Sequence, residues 1–182
     1  TKFFATGIWG VTVAGDTDRT GGTDFTVWDD YGLSDPIKDV ETARDVIFGA
    51  TAREAKRLLI GRQVWSKLKH HPDFLERIKY TQRGILTTDI IASILELDRV
   101  LVGKALRNTA KEGQTLTLAY MYGKHALLSY VADAPSLMAP SASYTFVWTK
   151  MGGLSYIRRL RDDKPMVDRI EGHIWLDQKV VC

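Results

Sequence analysis

Residues 69–74 read Lys-His-His-Pro-Asp-Phe, so two adjacent histidines stand beside an aspartate. Those side chains can hold a metal ion, or act as a general base with an orienting acid. The spacing argues against a metal. Histidines that share a metal from one helix lie on one face, three or four residues apart. His70 and His71, being neighbours, diverge by about 100° on a helix. No cysteine and no other histidine within twenty residues completes a ligand set. His125 and His173 each fall alone on an expected strand. No metal site is therefore expected. The run reads instead as a helix end followed by a turn that Pro72 starts, because a residue before proline is pushed out of the helical region.

Other chemistry is equally thin. No G-x-S-x-G surrounds Ser93, Ser129 or Ser155, and Gly152-Gly153 is a lone pair. Gly103-Lys104 lacks both the following Ser or Thr and the preceding glycine of a phosphate loop. Glu96, Asp98 and Glu112 lie near the ends of expected elements. Two of them meeting in space would suit a hydrolase, so an enzyme using unlinked carboxylates stays as a different-class alternative. Structural charge is the simpler reading. Tyr120, Tyr122 and Tyr130 have few basic neighbours and do not form a stacking platform for nucleic acid. No cofactor is expected.

The elements that would position these residues are clearer. Residues 5–32 are rich in Gly, Thr and Asp, with Trp9 and Trp28 as isolated anchors. Ser34 or Asp35 caps a helix that Pro36 opens. Its apolar stripe is Ile37, Val40, Ala43, Val46 and Ile47, and Gly49 is expected to end it. A strand at 57–61 precedes a helix from about Arg62, with Val64, Trp65 and Leu68 facing inward and an end near His70. Thr87, Thr88 and Asp89 cap a helix that buries Ile90, Ile91, Ile94 and Leu95. A strand follows at 98–102. Segments 116–121 and 125–131 are expected to pair as a hairpin across Tyr122, Gly123 and Lys124. Pro135 and Pro140 bracket a linker. Strands are then expected at 144–148, 156–160 and 167–180. In the last, Ile170, Gly172, Ile174 and Leu176 face one way, and Glu171, His173, Trp175 and Asp177 the other.

The fold class is α+β. A 182-residue chain with 45% hydrophobic and 26% charged residues has the makings of a sizeable core. Net charge is only +3. A nucleic-acid binder usually concentrates its basic residues, so a clustered Arg158, Arg159 and Arg161 face would be needed to favour a DNA-binding module. The single cysteine, Cys182, forms no internal disulfide, which fits a reducing compartment. No apolar run is long enough to span a bilayer. Lys2, Phe3 and Phe4 lead into a Gly/Thr/Asp-rich stretch, so no signal peptide and no membrane partner are expected. Well-capped helices, aromatic residues in loops and no catalytic constellation favour an assembly role.

Several segments, in order, carry a resemblance. They are Phe25-Thr26-Val27-Trp28 with Ser34-Asp35-Pro36-Ile37, residues 60–72 (IGRQVWSKLKHHP) and residues 77–81 (RIKYT). Residues 100–105 (VLVGKA), 108–113 (NTAKEG), 123–128 (GKHALL) and 140–148 (PSASYTFVW) follow. Together they resemble the major capsid proteins of tailed bacteriophages.

The resemblance implies a peripheral domain of helix and long β-sheet, with an axial domain inserted in it. Residues 1–55 and 135–182 would be peripheral and 56–134 axial. It also implies an upstream arm, extended loop and spine helix that this chain does not display, with Lys2, Phe3 and Phe4 at the spine's end. The implied function is a non-enzymatic subunit that builds pentamers and hexamers of an icosahedral head around double-stranded DNA. Its partners would be copies of itself, with portal, scaffold or decoration proteins, and DNA held without sequence preference. It would belong to the virion and assemble in the host cytoplasm. An encapsulin-like compartment shell is the alternative. Trp9, Trp28, His70, His71, Arg158 and Arg159 are the expected inter-subunit contacts.

Overall fold

The computed structural model describes residues 15–16, 25–79, 85–136, 138–151, 155–164 and 166–181. Trp9 and the Phe3-Phe4 pair lie outside them. The chain divides into two compact units, residues 1–131 and 132–182. Each mixes or repeats short elements, and the whole is a mixed helix-and-sheet protein.

In the first unit, strands β1 (Gly15–Asp16) and β2 (Phe25–Thr26) pair in parallel. Helix α1 (Pro36–Thr51) starts as its sequence demands: the Asp35 carboxylate accepts from the Lys38 N–H, and Pro36 occupies the first turn. It does not stop at Gly49. One glycine costs a helix only about 1 kcal/mol, and the chain continues to Thr51, where Ala52 turns left-handed (φ 53°) and donates to Phe48 O. Only the first turns of α1 are buried, at Pro36, Asp39 and Val40; Val46 and Phe48 are exposed.

The centre is β3 (Arg57–Gly61). It pairs in parallel with β4 (Arg99–Gly103) and antiparallel with β7 (Ala126–Ser129). Helices α2 (Arg62–Leu68), α3 (Pro72–Ile78) and α4 (Thr88–Ile94) lie between β3 and β4 in sequence. The inward positions Leu58, Ile60 and Val100 alternate along their strands, as a half-buried sheet requires. They meet Leu68, Phe74, Ile78, Leu86, Ile91, Ala92, Leu95, Leu97 and Val40 in one cluster. Burying each large side chain is worth roughly 1.5–3 kcal/mol. The segment after Pro72, expected as a turn, is a helix: Pro72 breaks one helix and opens the next, since a proline at the first position lacks only a hydrogen bond that was not needed.

Two pairings differ from expectation. The hairpin joins β5 (Leu106–Asn108) to β6 (Leu118–Tyr120), not 116–121 to 125–131. Its loop is held by Asn108 Oδ1, which accepts from the Ala110 and Thr117 N–H groups. β7 instead joins the central sheet. Steric room explains this. Gly61 and Gly103 lie side by side at the strand ends, and the Tyr122–Gly123 turn crosses them. A Cβ on Gly61 would overlap Gly123 O, and one on Gly103 would overlap the Tyr122 ring. The chain can therefore pass from β6 over these ends and return along β3.

In the second unit, β8 (Ser143–Val147) pairs with β11 (Leu176–Val180), and β9 (Tyr156–Asp163) with β10 (Met166–His173), both antiparallel. The long strand expected at 167–180 is thus two strands with different partners, broken at Ile174 and Trp175. Trp148 N–H donates to Trp175 O at 3.4 Å at the break. The expected alternation is kept up to the break, with the polar and aromatic set on the more covered side. Ile170 and Ile174 are 71% and 64% exposed, while Glu171, His173 and Trp175 are half-buried. His173 stacks on Trp175 at 5.1 Å and, more loosely, on Tyr156. Ser141 is the unit's buried residue among those described.

Two glycines should answer oppositely to alanine. Gly61→Ala forces backbone apart and should cost about 1–3 kcal/mol in urea denaturation. Gly49→Ala, with nothing within 4 Å of its Cβ, should stabilise by roughly 0.5–1 kcal/mol. Equal effects from both would refute the crossing at Gly61.

Candidate functional site

The histidine pair is split by the fold. His70 is exposed just beyond α2, while His71 is fully buried before α3. His71 is extended (φ −70°, ψ 131°) and caps α3: its Nδ1 accepts from the Asp73 N–H at 3.3 Å. Its Nε2 lies 3.0 Å from Ser34 Oγ. Ser34 Oγ in turn donates to Asp30 O at 2.5 Å. That hydroxyl has one proton, so His71 must be the donor in the Ser34 contact. The imidazole is then neutral, with its proton on Nε2. Tyr31 stands edge-on to the ring at 5.5 Å and donates through its hydroxyl to Lys67 O. The 30–34 loop is thereby fastened to the junction of α2 and α3.

Ser34, His71 and Asp73 superficially form a hydrolytic triad, with Asp73 Oδ2 3.4 Å from Nδ1. The hydrogen-bond directions exclude it. Nδ1 is an acceptor here and cannot donate to the carboxylate, and the serine proton points at a carbonyl. Ser34 and His71 are buried, leaving no room for a reacting carbonyl. This node was missed in the sequence because Ser34 is 37 residues away from His71.

The three carboxylates do not converge into a described cleft. Glu96 ends α4 in the left-handed conformation (φ 54°) that usually calls for glycine. Leu97 N–H donates to Ala92 O at 2.8 Å across this cap. The Glu96 carboxylate meets Arg44 of α1 at 3.2 Å, a mostly exposed pair worth at most about 1 kcal/mol. Asp98 precedes β4, and Glu112 lies in the β5–β6 loop, both exposed. Among the described residues no group of three His, Cys, Asp or Glu could hold a metal, and no helix is long and apolar enough to cross a membrane.

Trp28 is half-buried. Its Nε1 donates to the Asp39 carboxylate at 3.0 Å and its ring packs on the core, so it anchors α1 within the chain. Arg158 and Arg159 are exposed on β9 and, as neighbours on a strand, point to opposite faces. Arg159 pairs with Asp168. Arg158 is therefore on the opposite face from Arg159 and Arg161. What stands out instead is apolar surface in the second unit: Ile157, Met166 and Ile170 are 71–82% exposed. On the β9–β10 hairpin these three side chains share one face.

The chain is 29% identical over 136 residues to the major capsid protein of Burkholderia phage BcepMu, covering 72% of this chain and 42% of that protein. It is 28% identical over 119 residues to the major capsid protein of Pseudomonas phage JBD67, covering 64% and 36%. The crystal structure of a phage-related protein from Bordetella bronchiseptica RB50 matches with a TM-score of 0.73 at 27% identity, over 94% of this chain and 52% of that one. No family model matches. The chain spans less than half the length of both capsid proteins. The resemblance to phage major capsid proteins is borne out.

Burial lowers the His71 pKa below its ordinary 6.5, against the opposing pull of Asp73, Asp35 and Asp39. Protonation therefore favours the unfolded chain. The stabilisation from keeping His71 neutral is complete above pH 6.5. It is lost progressively as pH falls below that value toward the lower folded pKa. His71→Asn, which keeps a capping oxygen, should flatten this acid slope in denaturation midpoints while lowering stability by about 1–3 kcal/mol. An unchanged slope would show that His71 is not the titrating group.

Proposed function

We propose that the chain is part of a structural subunit that self-assembles into a phage head. The observation that carries this is the second unit. It holds two two-stranded sheets with apolar residues turned outward. An isolated two-stranded sheet is marginal in water. Contact with neighbouring subunits would cover that surface, and the similarity to two phage major capsid proteins supports this reading.

In this reading residues 56–134 form an axial domain, and 1–55 with 135–182 a peripheral one. Head-to-tail contacts close into pentamers and hexamers, and these into an icosahedral shell. Each contact can be modest because many act together. The subunit is non-enzymatic, and its partners are copies of itself together with portal, scaffold or decoration proteins. Packaged double-stranded DNA touches the inner wall through salt-screened, sequence-independent contacts. Assembly takes place in the host cytoplasm and the product is the virion. Trp9, Trp28, His70, Arg158 and Arg159 are candidate contact residues. His71 acts indirectly, by holding the loop and helix junction in shape.

Negative-stain electron microscopy of the complete natural protein, expressed alone and with its neighbouring genes, tests this. Uniform icosahedral particles are expected. Monomers under both conditions would refute the reading.

A further inference from the structure

We infer that the β9–β10 hairpin is extended into a continuous antiparallel sheet by the same hairpin of a second copy, with β10 of one copy beside β9 of the next. The identity of the partner rests on the shell-subunit reading; the edges and charges that would join the copies belong to this chain.

Both strands are eight residues long and uninterrupted by proline. Among the described residues they pair only with each other. Each therefore has an outer edge whose alternate N–H and C=O groups point away from the hairpin. Long open edges of this kind are templates for another strand. Natural proteins usually blunt them with proline, a bulge or an inward charge. Here the register runs unbroken from Met166 opposite Asp163 to His173 opposite Tyr156.

The charges favour a copy as the occupant. β9 carries Arg158, Arg159 and Arg161 before its two terminal aspartates, and β10 carries Asp168 and Glu171 with one arginine. Within the hairpin, Arg158 lies opposite Glu171 and Arg161 opposite Asp168. Repeating that register between copies sets Glu171 of one chain beside Arg158 of the next on one face. On the other face it sets Asp168 beside Arg161. Opposite charges then alternate across the sheet. The reverse choice, β9 against β9, would bring arginine against arginine. The same repeat aligns the exposed Ile157, Met166 and Ile170 into rows along one face, so their apolar surface becomes shared. The contact is heterologous, because a different edge is used on each side, and such contacts form rings where the rotation between copies closes.

The test uses two reversals in the full chain: Arg158→Glu with Arg161→Glu, and Asp168→Arg with Glu171→Arg. Association is read by sedimentation velocity and particles by electron microscopy. Each variant alone should associate about a hundredfold more weakly than the unaltered chain. An equimolar mixture should recover, because β9 of one variant then faces a complementary β10 of the other. Folding damage cannot explain recovery, since the internal mispairing persists in both chains. Undiminished association of either variant, or no recovery on mixing, overturns the inference. If the unaltered chain associates through these edges yet forms no particles, the shell reading fails and the sheet extension stands. Particles from either variant alone leave the shell reading intact and remove the extension.

Discussion

The first unit depends on the burial of a single strand. β3 has both backbone edges paired and its inward side chains, Leu58 and Ile60, almost wholly removed from water. A strand so enclosed tolerates no slip in register, because a shift of one residue would turn those side chains out. Around it the other elements take their places. α2 leaves directly from its end, the helices between β3 and β4 supply most of the remaining apolar cluster, and β7 returns along its free edge. The glycines at 61 and 103 follow from the same constraint: the chain must cross the strand ends to bring β7 home, and only a residue without a side chain leaves the room.

Polar groups inside this unit are satisfied in a way that favours shape over chemistry. The relay from His71 through Ser34 to Asp30 uses each proton once, in one direction. A catalytic serine and histidine need the opposite arrangement and an open approach. Buried as it is, the relay ties a loop to a helix junction and, through Trp28 and Asp39, to the start of α1. Fully satisfied buried polar networks of this kind rigidify the elements they join.

The second unit has the contrary character. Its strands are long and regular, but the apolar positions on one face look outward and the aromatic column of Tyr156, His173 and Trp175 is only partly covered. Backbone pairing holds each strand pair together, while few of its described residues are buried. In the proposed shell this division would be coherent: one unit carries its own core, and the other would gain burial from neighbouring copies.

Much of the first unit was legible in the sequence. The Asp35-Pro36 start, the 57–61 strand, Thr87 as a cap and the Ile91-Leu95 face are local signals, set by hydrogen bonds and side-chain spacing within a few residues. So was the likeness to phage capsid proteins, carried by segments in order. Local signals are blind to what lies opposite. The partner of β7 and the break at Ile174 and Trp175 were decided in three dimensions, with Gly123 over Gly61 and Trp148 at Trp175. The continuation of α1 past Gly49 and the helix after Pro72 are local outcomes, set by the Ala52 cap and by proline at a first helical position. The sequence by itself determined the starts at Asp35-Pro36, Arg57 and Thr87 and which protein class the chain resembles, because those depend on neighbours along the chain. Only the tertiary structure decided which strands meet and which apolar face stays open, because those depend on neighbours across it.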